Sequence, residues 1–313
     1  MSRQETPEMP EKFEVALIGA GPIGIEVAAG LKASGISYVH IEASCLAHTI
    51  TQWPSEAKFL SSPERVEIAG VPMQTRHQES VSGEEYTAYL RSVVEVYDLD
   101  IRFYERVTAI SGASGDFTVV TDRRGVERSY RARRIVLATG DMNRPRRLGI
   151  PGEDLPHVFH RFSDPHPFFR QKLLVVGGRN SAVEAALRCF RMGADVAISY
   201  RRPAFEKKHL YSRYHLEIGI LTGKGSIGFY PSTVPVEITG DSVVLEERPF
   251  DEDGAAAGDE AANRPAAAAP QSDAPGEGPG AAAGHGATNP GAVTGRGAPT
   301  PGRRFTVPAD FVL

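Results

Sequence analysis

Residues 15–41 and 173–199 are two copies of one pattern, and this repeat limits the possible folds more than any other feature. The copies align without a gap: Gly19 meets Gly177, Glu26 meets Glu184, Ala28 meets Ala186 and Gly35 meets Gly193. Each runs from a short apolar segment through a glycine turn into an Ala-rich helical pattern, then Gly, then a second apolar segment. That succession describes a βαβ unit, with parallel strands and a helix over one sheet face. A chain with two such units is expected to be an α/β protein, and 313 residues suffice for two ordinary domains.

Further apolar runs suggest strands at 135–138, beside those at 15–18, 38–41, 173–176 and 196–199. Residues 117–121 and 130–133 flank a turn at Arg124-Gly125 and read as a small antiparallel hairpin outside the parallel core. From 251 to 302 the composition shifts to Ala, Gly and Pro, with Val293 the only large aliphatic residue. Such a stretch buries too little apolar surface to offset its chain entropy and is expected to be disordered. Residues 305–313 then read as a strand.

The first turn is Gly19-Ala20-Gly21-Pro22-Ile23-Gly24. Gly19 permits the tight bend, Gly21 lets backbone approach a pyrophosphate, and Gly24 allows the helix to pack closely on the strand. The helix N-terminus adds unpaired N–H groups and a partial positive charge. Glu42 ends the next strand, where a carboxylate would accept bonds from ribose hydroxyls. The competing reading is a packing turn with a surface glutamate.

The second turn is Gly177-Gly178-Arg179-Asn180-Ser181-Ala182, with Arg179 in place of the middle glycine. Its strand ends in Ser199-Tyr200-Arg201-Arg202, without an acid at the ribose position. A carboxylate there would repel a 2′-phosphate, whereas guanidinium groups pair with one in a fork geometry. Arg201 and Arg202 therefore point to NADPH rather than NADH, the alternative being a solvated basic loop. Lys207, Lys208 and His209 are candidates for the nicotinamide end.

A net charge of −4 argues against nucleic acid or an acidic membrane surface as a main partner. No apolar run reaches the roughly 20 residues of a membrane helix, so the cytoplasm is the default location. Cys45 and Cys189, the only cysteines, provide no disulfide framework. Cys45, three residues past Glu42, reads as a small buried thiol, the alternative being a thiol that faces a cofactor, and Cys189 reads as a core residue at helical spacing. His157, His160 and His166 lack the companions of a usual ligand set, so no metal is expected.

With the glycine turns stand Phe59-Leu60-Ser61-Ser62, Ile68-Ala69-Gly70-Val71-Pro72, Ala138-Thr139-Gly140, Leu155-Pro156-His157-Val158-Phe159-His160, His166-Pro167-Phe168-Phe169 and Tyr200-Arg201. Over about residues 13–245 the chain resembles the thioredoxin-reductase-like flavoproteins with two dinucleotide domains, most nearly those of the YpdA-type bacillithiol-disulfide reductases. The resemblance implies two Rossmann-like domains, the NADPH domain inserted in the FAD domain. The implied layout is a flexible N-terminus over 1–12, the first part of the FAD domain over 13–148 and the NADPH domain over 149–250. The disordered segment follows over 251–302, and the first strand of a truncated return to the FAD domain over 303–313. FAD then falls to the first turn and NADPH to the second. Ala138, Thr139 and Gly140 would pass close to the FAD, Trp53 would lie near the isoalloxazine, and Val107 is counted among the cofactor-binding candidates. The remaining candidates are Gly19, Gly21, Pro22, Ile23, Gly24 and Glu42 on the first unit, and Gly178, Arg179, Asn180, Ser181, Arg201 and Arg202 on the second.

The departures from that family bear on the substrate. Phe162 and Pro165 stand where thioredoxin reductases carry a cysteine pair, so reduction of thioredoxin is not expected. Ile23 stands where YpdA-type reductases carry a cysteine. The Gly-Asp motif that closes the FAD domain does not follow residue 313, which reads as a fragment, a truncated product or a weakened FAD site. The leading expectation is an NADPH-dependent FAD oxidoreductase acting on a small molecule such as a low-molecular-weight disulfide. A flavin monooxygenase-like enzyme and an inactive nucleotide-binding protein are the alternatives. The resemblance allows a homodimer, and the oligomeric state stays open.

Overall fold

The computed structural model describes residues 11–142, 145–248 and 302–313. The expected disorder over 251–302, except at Gly302, and the expected flexibility over 1–10 lie outside the described residues. Contacts divide the chain into two compact units, one ending at Arg146 and the other beginning at Arg147.

In the first unit β1 (Glu11–Ile18) leads through the glycine turn into α1 (Pro22–Ala33) and on to β2 (Tyr38–Ile41). Short helices α2 (His48–Thr51) and α3 (Pro63–Val66) precede α4 (Gly83–Val96), and β3 (Arg106–Ala113), β4 (Asp116–Arg123) and β5 (Val126–Leu137) complete the unit. The sheet order is β2-β1-β5-β4-β3. β1 is parallel to both β2 and β5, while β4 is antiparallel to β5 and β3.

This corrects the reading of the hairpin as lying outside the parallel core. Segments 130–133 and 135–138 belong together, because β5 runs unbroken from the hairpin into the parallel sheet. The register with β1, from Glu11↔Tyr130 to Ile18↔Leu137, and that with β4, from Phe117↔Ala132 to Arg123↔Val126, together supply backbone partners along β5 and remove any reason for a break.

α4 begins with a capping box, Ser82 and Glu85 exchanging side-chain-to-backbone bonds. Its apolar face places Tyr86, Tyr89, Leu90 and Val93 in a core with Leu17, Ile25, Ala28 and Ile50. Tyr89 Oη accepts from the Ile68 amide at 2.7 Å and donates to the Val71 carbonyl at 2.6 Å, tying down the loop over residues 68–71.

The second unit repeats the motif with β6 (Lys172–Val176), α5 (Asn180–Arg191) and β7 (Asp195–Tyr200), followed by α6 (Ser212–Gly223) and β8 (Gly228–Pro231). β9 (Thr233–Ile238), β10 (Ser242–Glu247), β11 (Arg304–Pro308) and β12 (Phe311–Val312) follow. The sheets are β12-β6-β7-β8, parallel throughout, and β11-β10-β9, antiparallel. Alternation along β6 explains the two layers around it. Leu173 and Val175 join the core with α5 and α6, while Leu174 joins β9, β10 and β11.

The final segment departs from the expected return to the first unit. β11 pairs with β10 and β12 with β6, both inside the second unit. Val307, Ala309 and Val312 are buried there, so apolar burial holds the segment on these two sheets. No helix among the described residues is long and apolar enough to cross a membrane.

Candidate nucleotide sites on the two glycine turns

The two turns are built alike. The Gly19 amide donates to the Ile41 carbonyl at 2.8 Å, and the Gly177 amide to the Ser199 carbonyl at 2.9 Å. Gly19 has φ +104° and Gly177 has φ +138°, conformations that disfavour a side chain. Each following helix starts without a side-chain cap, leaving its first N–H groups open to another acceptor.

At the first turn, close packing explains the glycines. A Cβ at Gly24 would stand 1.9 Å from the Gly19 carbonyl oxygen, and one at Gly19 would stand 2.5 Å from that of Ala138. A Cβ at Gly21 would meet nothing within 4 Å. Gly21 therefore borders open space, and that space belongs to a cavity of about 660 Å³.

Gly19, Gly21, Pro22, Ile23, Glu42, Trp53, Val107, Ala138, Thr139 and Gly140 line this cavity, while Gly24 packs behind the turn. Ile23 is 66% exposed. The Glu42 carboxylate is fixed by backbone, one oxygen accepting from the Ala20 amide at 2.7 Å and the other from Ser44 at 2.8 Å. Each oxygen keeps lone-pair capacity for a ligand hydroxyl.

Several contributors were not singled out from the sequence. His40 is buried beneath the turn, its Nε2 2.9 Å from the Gly19 carbonyl oxygen. A carbonyl only accepts, so Nε2 carries the proton. Burial lowers the His40 pKa, outweighing the bond to Gly19 and the Glu42 charge. Glu105 is fully buried at the cavity wall, and its Oε1 accepts from Thr121 Oγ1 at 2.7 Å and Tyr130 Oη at 2.6 Å. Burial, and then the bond to Glu105, raises the Tyr130 pKa.

Phe59 also lines the cavity and links Trp53 to α4, with ring centroids 4.8 Å from Trp53 and 4.6 Å from Tyr86. Trp53 Nε1 and Glu105 Oε2 are buried without a hydrogen-bond partner among the described residues. His40 interrupts an apolar strand, a signal that sequence could have supplied; Glu105 carries no such mark.

At the second turn the middle of the bend is covered. A Cβ at Gly178 would stand 2.6 Å from ring atoms of Tyr200. Tyr200 stacks on Phe205 at 5.6 Å, and Phe205 on Phe229 at 4.5 Å. Arg179 and Ser181 are exposed at the start of α5, and Asn180 Oδ1 accepts from the Tyr211 amide at 2.8 Å. Arg201 and Arg202 are both half-buried. Arg202 Nη1 donates to Glu206 Oε1 at 2.8 Å, and Lys208 Nζ lies 2.8 Å from Glu206 Oε2. Arg202 and Lys208 thus share a carboxylate that the reading of a purely basic loop did not include.

Cys189 is buried on α5, and burial pushes its thiol up to about 12, so it stays protonated. Cys45 is half-buried, not fully buried as expected, with its Sγ 3.8 Å from His48 Nδ1. His157 Nε2 lies 2.9 Å from the Thr239 carbonyl oxygen.

A family model described as pyridine nucleotide-disulphide oxidoreductase matches residues 16–222. The chain belongs to the pyridine nucleotide-disulphide oxidoreductase family. Among curated relatives, it is 34% identical over 185 residues to bacilliredoxin reductase Bdr of Bacillus subtilis (strain 168), covering 59% of this chain and 56% of that one. It is 30% identical over 196 residues to the ferredoxin–NADP reductase of Ignicoccus hospitalis, covering 61% and 57%. The chain therefore spans less than two thirds of the length of these curated relatives. A solved structure of bacillithiol disulfide reductase Bdr (YpdA) from Bacillus cereus superposes with a TM-score of 0.76 at 27% identity, over 96% of this chain and 76% of that one. The resemblance read from the motifs is thereby borne out.

Proposed function

We propose that this chain binds FAD on the first glycine turn and NADPH on the second, and works as an NADPH-dependent oxidoreductase with a small-molecule acceptor. The cavity beside Gly21 carries the reading. It has the size of a cofactor site, an open cradle where a Cβ would stand, an uncapped helix N-terminus for a pyrophosphate and a fixed carboxylate for a ribose. Behind the same wall Trp53 Nε1 and Glu105 Oε2 are buried without a hydrogen-bond partner among the described residues. These residues fit FAD.

When bound, FAD supplies a two-electron acceptor that takes hydride from a nicotinamide and passes reducing equivalents on. The protein's own part is positional. Gly21 and the start of α1 would receive the pyrophosphate, and Glu42 would hold the ribose. Trp53 and Phe59, braced by α4, would keep water from the apolar end. On the second unit Arg179 and the start of α5 would meet the NADPH pyrophosphate, and Arg201 with Arg202 its 2′-phosphate. In the proposed layout the FAD-binding unit precedes the NADPH-binding unit along the chain.

The printed name of the Bacillus cereus structure, bacillithiol disulfide reductase, supports a low-molecular-weight disulfide as acceptor. Its S–S bond would take the hydride's two electrons, that proton equivalent and one solvent proton, and open to two thiols. Ile23 at the cavity supports a second reading, a flavin monooxygenase-like enzyme, because an aliphatic side chain there offers no thiol for disulfide exchange. Stopped-flow and oxygen-electrode assays separate the two. Disulfide-dependent NADPH oxidation without oxygen uptake is expected, and oxygen uptake indifferent to disulfide would favour the second reading. A colourless protein that cannot be loaded with FAD would overturn both. Replacing Arg201 and Arg202 by Ala should raise the NADPH Michaelis constant about 10- to 100-fold and leave NADH nearly unchanged.

A further inference from the structure

The cations after β7 enclose a carboxylate. Arg201, Arg202, Lys207 and Lys208 surround Glu206 in sequence, and both Glu206 oxygens are engaged, by Arg202 and by Lys208. The loop that carries Glu206 is anchored. Phe205 is stacked between Tyr200 and Phe229, and the His215 ring lies 3.1 Å from the Phe205 carbonyl oxygen. The carboxylate therefore stands on a braced segment rather than on a free tether. The charges of Arg202, Glu206, Arg179 and Arg201 all act on the Tyr200 hydroxyl, whose pKa burial raises, so Glu206 shares one neighbourhood with the three arginines.

A 2′-phosphate entering this neighbourhood meets a guanidinium already bonded to a carboxylate and a negative charge that repels it. The ribose and adenine of the nucleotide carry no such charge and are indifferent to it. We propose that Glu206 is a specificity-determining residue that occupies the cationic subsite for the 2′-phosphate and so holds down the preference for NADPH over NADH. The proposal rests on the reading of the second turn as an NADPH site.

The test titrates the protein, kept saturated with FAD, with 5′-AMP and with adenosine 2′,5′-bisphosphate in a calorimeter. Wild type, Glu206→Gln and Glu206→Ala are compared at low and at physiological salt. Both variants are expected to bind the bisphosphate about tenfold tighter than wild type, with 5′-AMP unchanged and the gain shrinking as salt is added. Unchanged or weaker bisphosphate binding in both variants overturns the proposal, and so does an equal change for both nucleotides. Loss of both ligands in both variants assigns Glu206 to the folding of the loop and also overturns it. A wild type that binds neither nucleotide overturns the reading of the second turn itself. Wild-type binding of both, with variants that match it, overturns the role of Glu206 alone.

Discussion

Gly21 and Gly24 lie in one turn yet tolerate substitution differently. At Gly24 an added Cβ collides with backbone, so Gly24→Ala should cost about 1–3 kcal/mol or more and lower the urea midpoint. At Gly21 the Cβ enters open space and the backbone is extended, at φ −80°. Gly21→Ala should keep stability within about 0.5 kcal/mol of wild type, yet weaken FAD binding by about tenfold, read from flavin absorbance on dialysis. His40 makes a second prediction. Its folded pKa lies below its unfolded value, so as pH falls below about 6.5 the unfolded chain binds a proton that the folded protein refuses. Stability is full above that value and declines as pH drops toward the folded pKa. Urea midpoints between pH 7.5 and about 5 should show a steeper decline in wild type than in His40→Gln, whose amide can still donate to Gly19.

At the scale of elements, α4 lies behind the cavity wall and pins the residues that form it. Tyr89 ties residues 68–71, while Tyr86 leads through Phe59 to Trp53. Tyr89→Phe leaves the Ile68 amide and the Val71 carbonyl without this partner and should destabilise by about 1–3 kcal/mol in urea unfolding. The same helix shows why the cavity wall was hard to read from sequence. Phe59 and Trp53 are ordinary apolar residues in a loop, marked in the sequence only through the family resemblance, and the placement of α4 against them sets them at the cavity.

For the whole molecule, the two units should respond to ligands separately. FAD is expected to slow hydrogen exchange over residues 15–53, 105–107 and 137–140. NADPH is expected to slow it over 176–206, since each ligand stabilises the segment that contacts it. Mass spectrometry of exchanged peptides would check this. Protection of the first set by NADPH in FAD-free protein, with none over the second, would reverse the assignment of ligands to turns.

The repeat, the two glycine turns and the acid-versus-arginine contrast at the strand ends were legible from residues alone. They depend on local constraints: a positive φ, a short reach to the next strand, the charge at the strand end. The merging of the hairpin into β5 was not legible, because it depends on the long register with β1. Nor was the docking of residues 304–312 within the second unit, which long-range burial decides. Glu105 and His40 were drawn beside the first turn by partners far along the chain, and Glu206 beside the arginines after β7 by partners across a loop. Local sequence determined that two glycine turns of the same build form. Tertiary structure decided which side chains surround them, because burial and charge pairing act between residues that sequence order keeps apart.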